Sequence, residues 1–346
     1  MNTQTLDRLT GDEPKRLEAI AKAAGAIAPG LALALVIAAI ATGVQRFTNI
    51  PGLSPLVVAM VLGMLWRNTL GAIPAVAPGI TFSLKKLLRG AIILLGLQLT
   101  LTQLGEVGLR GFAIVATTLL GTFLFTKAMG RILGVERKLT ELIAAGTSVC
   151  GASAVIATNT VTRGSDEDVA YAIACVTVFG SLSMLLFPVI GNGLQLSSES
   201  YGLWSGAAIH EVAQAVAAAF QGGEVAGQTG TVAKLSRVIL LAPLILAIGL
   251  FMSRSGEGST GRAPTPWFVF GFLAMVLLNS VVTLPGTLHD GLITLTGFLL
   301  TVALAAMGLE TDIRKLRAKG VRPLMLGAAA WVFISITALG LTLALF

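Results

Sequence analysis

Runs of about twenty apolar residues with hardly a charge inside them recur from one end of this chain to the other, GAIAPGLALALVIAAIATGV (25–44) and GLITLTGFLLTVALAAMGL (291–309) among them. A helix that crosses the hydrocarbon core of a bilayer needs about 20 such residues, with a range of about 17 to 25. Of the 346 residues, 55% are hydrophobic and 12% charged, whereas ordinary soluble domains carry about 25% charged residues. A single water-facing fold could not bury so much apolar surface. Lipid is the solvent for most of the chain, and its 40 glycines suit helices that pack closely there.

On that ruler the sequence predicts about eleven spans, near 27–46, 53–68, 82–102, 109–130, 139–160, 167–192, 200–221, 232–252, 266–285, 290–311 and 322–346. The expectation is an all-α polytopic membrane protein, with a short cytoplasmic segment over 1–25 and one transmembrane transporter domain over 26–346. The first 25 residues are mixed-charge and have no signal-peptide pattern of basic start and apolar run. Basic residues orient the bundle. Lys15, Arg16 and Lys22 precede the first span, and further groups lie at Arg67 to Arg89, Lys127 to Lys138, Arg254 and Arg262, and Arg314 to Arg322. With an odd number of spans these groups share one side, which the positive-inside bias makes cytoplasmic, leaving the C-terminus periplasmic. Arg46, Arg110, Arg163, Lys234 and Arg237 then fall opposite, the last two at the mouth of the eighth span, first as surface anchors and second as positive charge for an anion path. The net charge of +7 is scattered over loops and forms no stripe for nucleic acid. Cys150 and Cys175 lie in apolar segments and have no metal-ligand spacing.

The chain also resembles itself. LLRGAIILLGLQLTLTQLGEVGLR (87–110) aligns without a gap on LLTVALAAMGLETDIRKLRAKGVR (299–322), an offset of 212, and MLWRNTLGAIP (64–74) aligns on MVLLNSVVTLP (275–285). Asn68 is thereby matched with Asn279, Gln98 with Glu310 and Gly108 with Gly320. Copies around 53–130 and 266–346 lie an odd number of spans apart and so run in opposite directions, the inverted-repeat logic of many secondary transporters.

Two polar clusters interrupt the apolar runs. In GTSVCGASAVIATNT (146–160), glycines weaken the helix at mid-membrane while hydroxyls can take over backbone hydrogen bonds. A break there would expose helix N-terminal amides to an anion, making Thr147, Ser148, Cys150, Gly151 and Ser153 candidate substrate-binding residues. Close helix packing through small residues accounts for the same stretch equally well. In GAAIHEVAQAVAAAF (206–220), His210 and Gln214 stand four apart and so share a helix face, and Glu211 follows the histidine. Ionisable groups at such depth mark pathways or proton relays. His210 and Gln214 join the substrate list, and His210 and Glu211 are the candidates for proton or ion coupling. Asn68 and Asn279 read first as helix-to-helix hydrogen bonds and second as site residues. No nucleotide, metal or nucleophile motif occurs, so no cofactor, no metal and no enzymatic activity is expected.

The runs GTSVCGASAVIA (146–157), GAAIHEVAQAVAAA (206–219), AKLSRVILLAP (233–243) and GLETDIRKLRAKGVRPL (308–324), in that order, resemble the YeiH family of bacterial inner-membrane proteins, which carry the label sulfate exporter. The resemblance covers 25–346 and implies kinship with the cation:proton antiporter and bile-acid transporter clan. It thus implies inverted repeats, crossed discontinuous helices and homodimers. The expected function is secondary export of a small anion such as sulfate or another sulfur oxyanion, coupled to a proton. The alternative is a sodium/proton antiporter built on Glu211.

Overall fold

The computed structural model describes residues 13–48, 54–254, 267–282 and 284–346. The first twelve residues and Arg262 lie outside that set. Every regular element among the described residues is helical. In chain order they are α1 (Glu13–Thr48), α2 (Pro55–Leu70), α3 (Ala77–Phe82), α4 (Leu88–Leu95), α5 (Leu101–Ile132), α6 (Arg137–Ser148), α7 (Ala152–Thr162), α8 (Asp166–Gly193), α9 (Ser198–Ala208), α10 (Val212–Gln221), α11 (Glu224–Ile239), α12 (Leu241–Arg254), α13 (Trp267–Val281), α14 (Gly286–Glu310) and α15 (Val321–Leu345). A π-type turn at Ser83–Leu87 joins α3 to α4. Where the chain re-enters a helix, side chains cap it: Thr100 with Gln103 opens α5, and Ser165 with Asp168 opens α8.

Six segments are long and apolar enough to cross a membrane: Lys22–Phe47, Val107–Ile132, Asp166–Gly193, Glu224–Ile248, Gly286–Glu310 and Val321–Leu345. The shorter α2 and α13 and the α3–α4 pair complete the crossings among the described residues. This is an all-α, multi-pass membrane protein, as the hydropathy requires.

The predicted spans at 139–160 and 200–221 are both discontinuous, but neither crosses. In the first, α6 and α7 meet at a break over 149–151, and the Lys138 ammonium at one end donates to the Arg163 carbonyl at the other, 3.1 Å away. A continuous 26-residue helix would hold its two ends about 39 Å apart. In the second, α9 and α10 meet at a break over 209–211, and the Tyr201 hydroxyl near its start donates to the Ala218 carbonyl near its finish at 2.8 Å. Each segment enters and returns to the face it came from. Each half has 10 to 12 residues, or about 15–18 Å, half the depth of a hydrocarbon core. Broken backbone at that depth is tolerated only when buried in protein, and both hairpin tips are buried.

The hairpins come from opposite faces. One face gathers the ends of α2 and α14 through Arg67 and Asp312 (3.3 Å), and the loop before α15 and the start of α8 through Lys319 and Asp168 (2.8 Å). Both ends of the α6–α7 hairpin lie there. The opposite face gathers the end of α13 with the chain after α4, where Asn279 donates to the Leu99 carbonyl at 3.0 Å. It also holds the start of α11, where Gln228 donates to the Gln98 carbonyl at 2.8 Å, and both ends of the α9–α10 hairpin.

Asn68 and Asn279 do the same job at opposite ends of the bundle. Asn68 donates to the Thr311 carbonyl past the end of α14 at 3.0 Å, and Asn279 to Leu99 past the end of α4. A methyl group on Gly308 would strike the Met60 carbonyl, and one on Gly96 would strike the Phe272 carbonyl. These partners sit 212 or 211 positions apart in the chain, as do Gly108 and Gly320, both at positive φ (50° and 82°).

Candidate functional site

The two hairpin tips meet inside the bundle. α6 ends at Ser148, and Gly151 turns the chain with φ 68° and ψ −131° so that α7 can start at Ala152. α9 ends at Ala208; Ile209 and Glu211 are extended, and α10 starts at Val212. A helix end strands its last carbonyls and carries about half a negative charge; a helix start strands its first amides and carries about half a positive one. Two ends and two starts therefore face one another in a place closed to water.

α11 serves the two ends. Lys234 and Arg237, three apart and on one helix face, are both fully buried. The Lys234 ammonium donates to the carbonyls of Val149 (2.9 Å), Ile209 (2.7 Å) and His210. The Arg237 guanidinium donates to Thr147 (2.6 Å), Ser148 (3.1 Å), Ile209 (2.8 Å) and, more loosely, Gly206 (3.4 Å). Thr147, Ser148 and Val149 belong to one tip; Gly206, Ile209 and His210 belong to the other. Burying two charges is expensive unless their protons find acceptors, and these carbonyls are acceptors that a broken helix has left free.

Glu211 serves one of the two starts. Its Oε1 accepts from the Ala152 amide at 2.5 Å, so a carboxylate from one hairpin caps a helix of the other. A side chain on Gly151 would overlap that carboxylate, and its positive φ disfavours any side chain in the first place. The start of α10 has no side-chain cap. Near it, His210 is buried with neither ring nitrogen hydrogen-bonded, and Gln214 is buried with its Oε1 unpaired. The Gln214 amide nitrogen donates to the Thr177 carbonyl (2.9 Å) and the Ser181 hydroxyl (3.1 Å) of α8. Gly180 on α8 leaves room for both: a methyl there would meet Gln214 Oε1 and His210 Cβ.

The sequence candidates divide accordingly. Thr147, Ser148, Cys150 and Gly151 are buried at one tip, His210, Glu211 and Gln214 at or beside the other, and the fold joins these groups across sixty residues of chain. Ser153 is not buried with them: its side chain is exposed on the first turn of α7. The Ser148 hydroxyl is taken by the Ala144 carbonyl of its own helix at 2.5 Å. His210 and Gln214 do not share a helix face, because His210 lies in the break and only Gln214 is helical. Asn159 turns the chain after α7, accepting from the Gly164 amide at 2.7 Å. Asn68 and Asn279 are helix-end contacts remote from the tips.

Lys234 and Arg237 are the main correction. The eighth segment starts at Glu224 rather than near 232, so Lys234 lies about 16 Å along its helix, at mid-membrane depth. The polar opening turns, EVAGQTGT, look too wet for a span by hydropathy, but from Ala226 on they are covered by protein. The readable signal was two cations three apart, preceded by glycines that let α9 and α11 touch backbone to backbone: a methyl on Gly206 would strike the Gly230 carbonyl.

The comparisons with known proteins find membrane proteins. The family model described as conserved hypothetical protein 698 matches residues 29–327. A UPF0324 membrane protein of Pseudomonas putida is 38% identical over 308 residues, covering 85% of this chain and 87% of its own. Another, from Bacillus cereus, is 35% identical over 312 residues, covering 89% and 91%. A third, from Pseudomonas aeruginosa, is 39% identical over 328 residues, covering 88% and 91%. No solved structure matches. A multi-pass helical protein that matches these relatives over most of its length belongs to the conserved hypothetical protein 698 family, the UPF0324 or YeiH-type membrane proteins.

Proposed function

We propose that this protein is a secondary transporter of a small anion, with sulfate and related sulfur oxyanions as first candidates, exported across the bacterial inner membrane. One observation carries the choice of charge. Two fully buried cations face a single carboxylate at the hairpin tips. The two helix ends and two helix starts contribute about half a charge each and cancel. The balance is an excess of roughly one positive charge in a low-dielectric setting, which favours an anion. The uncapped start of α10 supplies free amides where that anion would sit, with His210 and Gln214 beside it. His210, the nearest titratable group without a partner, is the candidate for proton coupling.

The paired contacts of Asn68 with Asn279 and of Gly96 with Gly308 support reading the copies around 53–130 and 266–346 as inverted repeats. Hairpins entering from opposite faces fit the same symmetry. With the face of Arg67, Arg137, Lys138, Arg163, Arg314 and Lys319 taken as cytoplasmic, the N-terminus is inside and the C-terminus periplasmic. Two hairpins in place of two crossings move Arg163 to that basic face and leave the parity unchanged.

The test is anion-induced thermal stabilisation of the purified protein, screening sulfate, sulfite, thiosulfate, sulfonates and carboxylates. A ligand at 100 times its Kd contributes about 2.7 kcal/mol. Stabilisation by one oxyanion that is lost in His210→Ala and kept in Ser153→Ala is the expected result. If no anion moves the melting temperature, the reading fails.

The antiporter alternative has its own observation, the buried carboxylate of Glu211 on the Ala152 amide. A Glu211→Gln protein with undiminished cation-coupled transport would eliminate it.

A further inference from the structure

We infer that the Lys234 ammonium is a tethered stand-in for an alkali cation: it fills, permanently, a carbonyl cage between the two hairpin tips that a coupling sodium ion would otherwise occupy. The consequence for coupling rests on the transporter reading above; the cage itself does not.

The cage is made by the breaks. Three carbonyl oxygens converge on one nitrogen: Val149 from the first tip, Ile209 and His210 from the second. None of these residues is within a helix, so their oxygens point away from any helical ladder. Unwound carbonyls and half-helix ends of this kind are where transporters coordinate a bare cation. Three acceptors also specify the form of the nitrogen. An ammonium has three N–H groups, one for each oxygen, whereas a neutral amine has two and would turn its lone pair on the third. The site thus demands a compact positive charge that binds only oxygen. That description fits sodium, potassium or ammonium equally well.

Two features make the occupant permanent. Lys234 is anchored on α11, a third element that touches both hairpins, and the glycine contacts of α9 with α11 bring its base close to the tips. Arg237 takes the neighbouring carbonyls of Thr147, Ser148 and Gly206 and shares Ile209. All six carbonyls named at the breaks are thereby engaged by side chains of one helix. A free ion in the same cage would assemble the tips on binding and release them on leaving; a lysine holds them assembled throughout. The protein therefore needs no sodium to form its substrate site, and its coupling ion acts elsewhere.

The experiment is thermal melting of the purified full-length protein in choline chloride, replaced at constant ionic strength by sodium, potassium, ammonium or methylammonium chloride. The wild-type melting temperature is expected to be the same in choline and sodium. Lys234→Ala is expected to melt several degrees lower in choline and to recover, saturably, with sodium or a small ammonium ion but not with choline. Lys234→Gln, which keeps two donors and most of the volume, is the milder second variant and should show the same split. Saturable stabilisation of the wild type by sodium overturns the proposal, as does a folded Lys234 variant indifferent to every cation. If neither variant can be purified in any of these salts, the lysine does more than hold an ion's place, and the proposal falls. No substrate anion enters these measurements, so their failure leaves the anion reading standing and its failure leaves the cage intact.

Discussion

At the scale of single residues, the tips are governed by a need to satisfy backbone groups that a continuous helix would have satisfied itself. Gly151 answers two demands, a positive φ and a missing side chain next to the Glu211 carboxylate. Gly151→Ala is expected to lower stability by about 1–3 kcal/mol through backbone strain, with more from displacing Glu211, read as a lowered melting temperature. Arg237 holds four carbonyls. Arg237→Met orphans them at about 1–3 kcal/mol for each that finds no water, so little folded protein should survive detergent extraction. Ser153→Ala, at an exposed position, should stay within about 0.5 kcal/mol of wild type. A large effect there would mean that this exposed position is in contact with something. The sequence had already singled out Gly151, Glu211 and His210 by chemistry alone. It did not distinguish the exposed Ser153 from the buried Ser148, because a serine beside a break looks the same in either setting.

At the scale of elements, the returning hairpins decide which loops share a face. Lys138 and Arg163 are both exposed, at the two ends of α6–α7. Single cysteines at these two positions should react with a membrane-impermeant thiol reagent from the same side, the cytoplasmic one. Cysteines replacing Ser198 and Gly223 should both react from the other. Labelling of Lys138→Cys and Arg163→Cys from opposite sides would mean that this segment crosses after all. Native Cys150 and Cys175 are buried and form no background. The loop before α15 is held to α8 through Lys319, whose pKa lies above its ordinary value of 10.5 because it donates to Asp168 and faces the Asp168 and Glu167 carboxylates. A raised lysine pKa means that the contribution is complete at neutral pH and is lost only as pH rises through the raised value. Lys319→Ala should therefore loosen this face equally at pH 6 and pH 8, measured by proteolysis of the loop.

For the whole molecule, the contacts organise two groups of helices. α2 with α14 and α13 with α4 pack through close glycine and asparagine contacts; the two hairpins gather around α8 and α11. If the paired asparagines are equivalent, Asn68→Ala and Asn279→Ala should each cost about 1–3 kcal/mol. Asn68 should cost more, since its Oδ1 also accepts from the Ile313 amide at 3.0 Å. Being at opposite ends of the bundle, the two losses should add. Strong coupling between them would argue for a single shared cluster instead.

The sequence by itself determined the solvent of each segment, singled out the glycine- and hydroxyl-rich stretch where the first break lies, and carried the offset of the self-similar runs, while it read the second break, at 209–211, as helix. Each of these is a local property: hydropathy sums over about twenty residues, glycines and hydroxyls weaken the turn they belong to, and repeats keep their offset. Only the tertiary structure decided that α6–α7 and α9–α10 turn back and that Lys234 and Arg237 lie at the centre. A broken apolar segment has the same hydropathy whether its second half continues or returns. A buried cation reads like a surface anchor until its acceptors are known, and here those acceptors are backbone carbonyls contributed by two other parts of the chain.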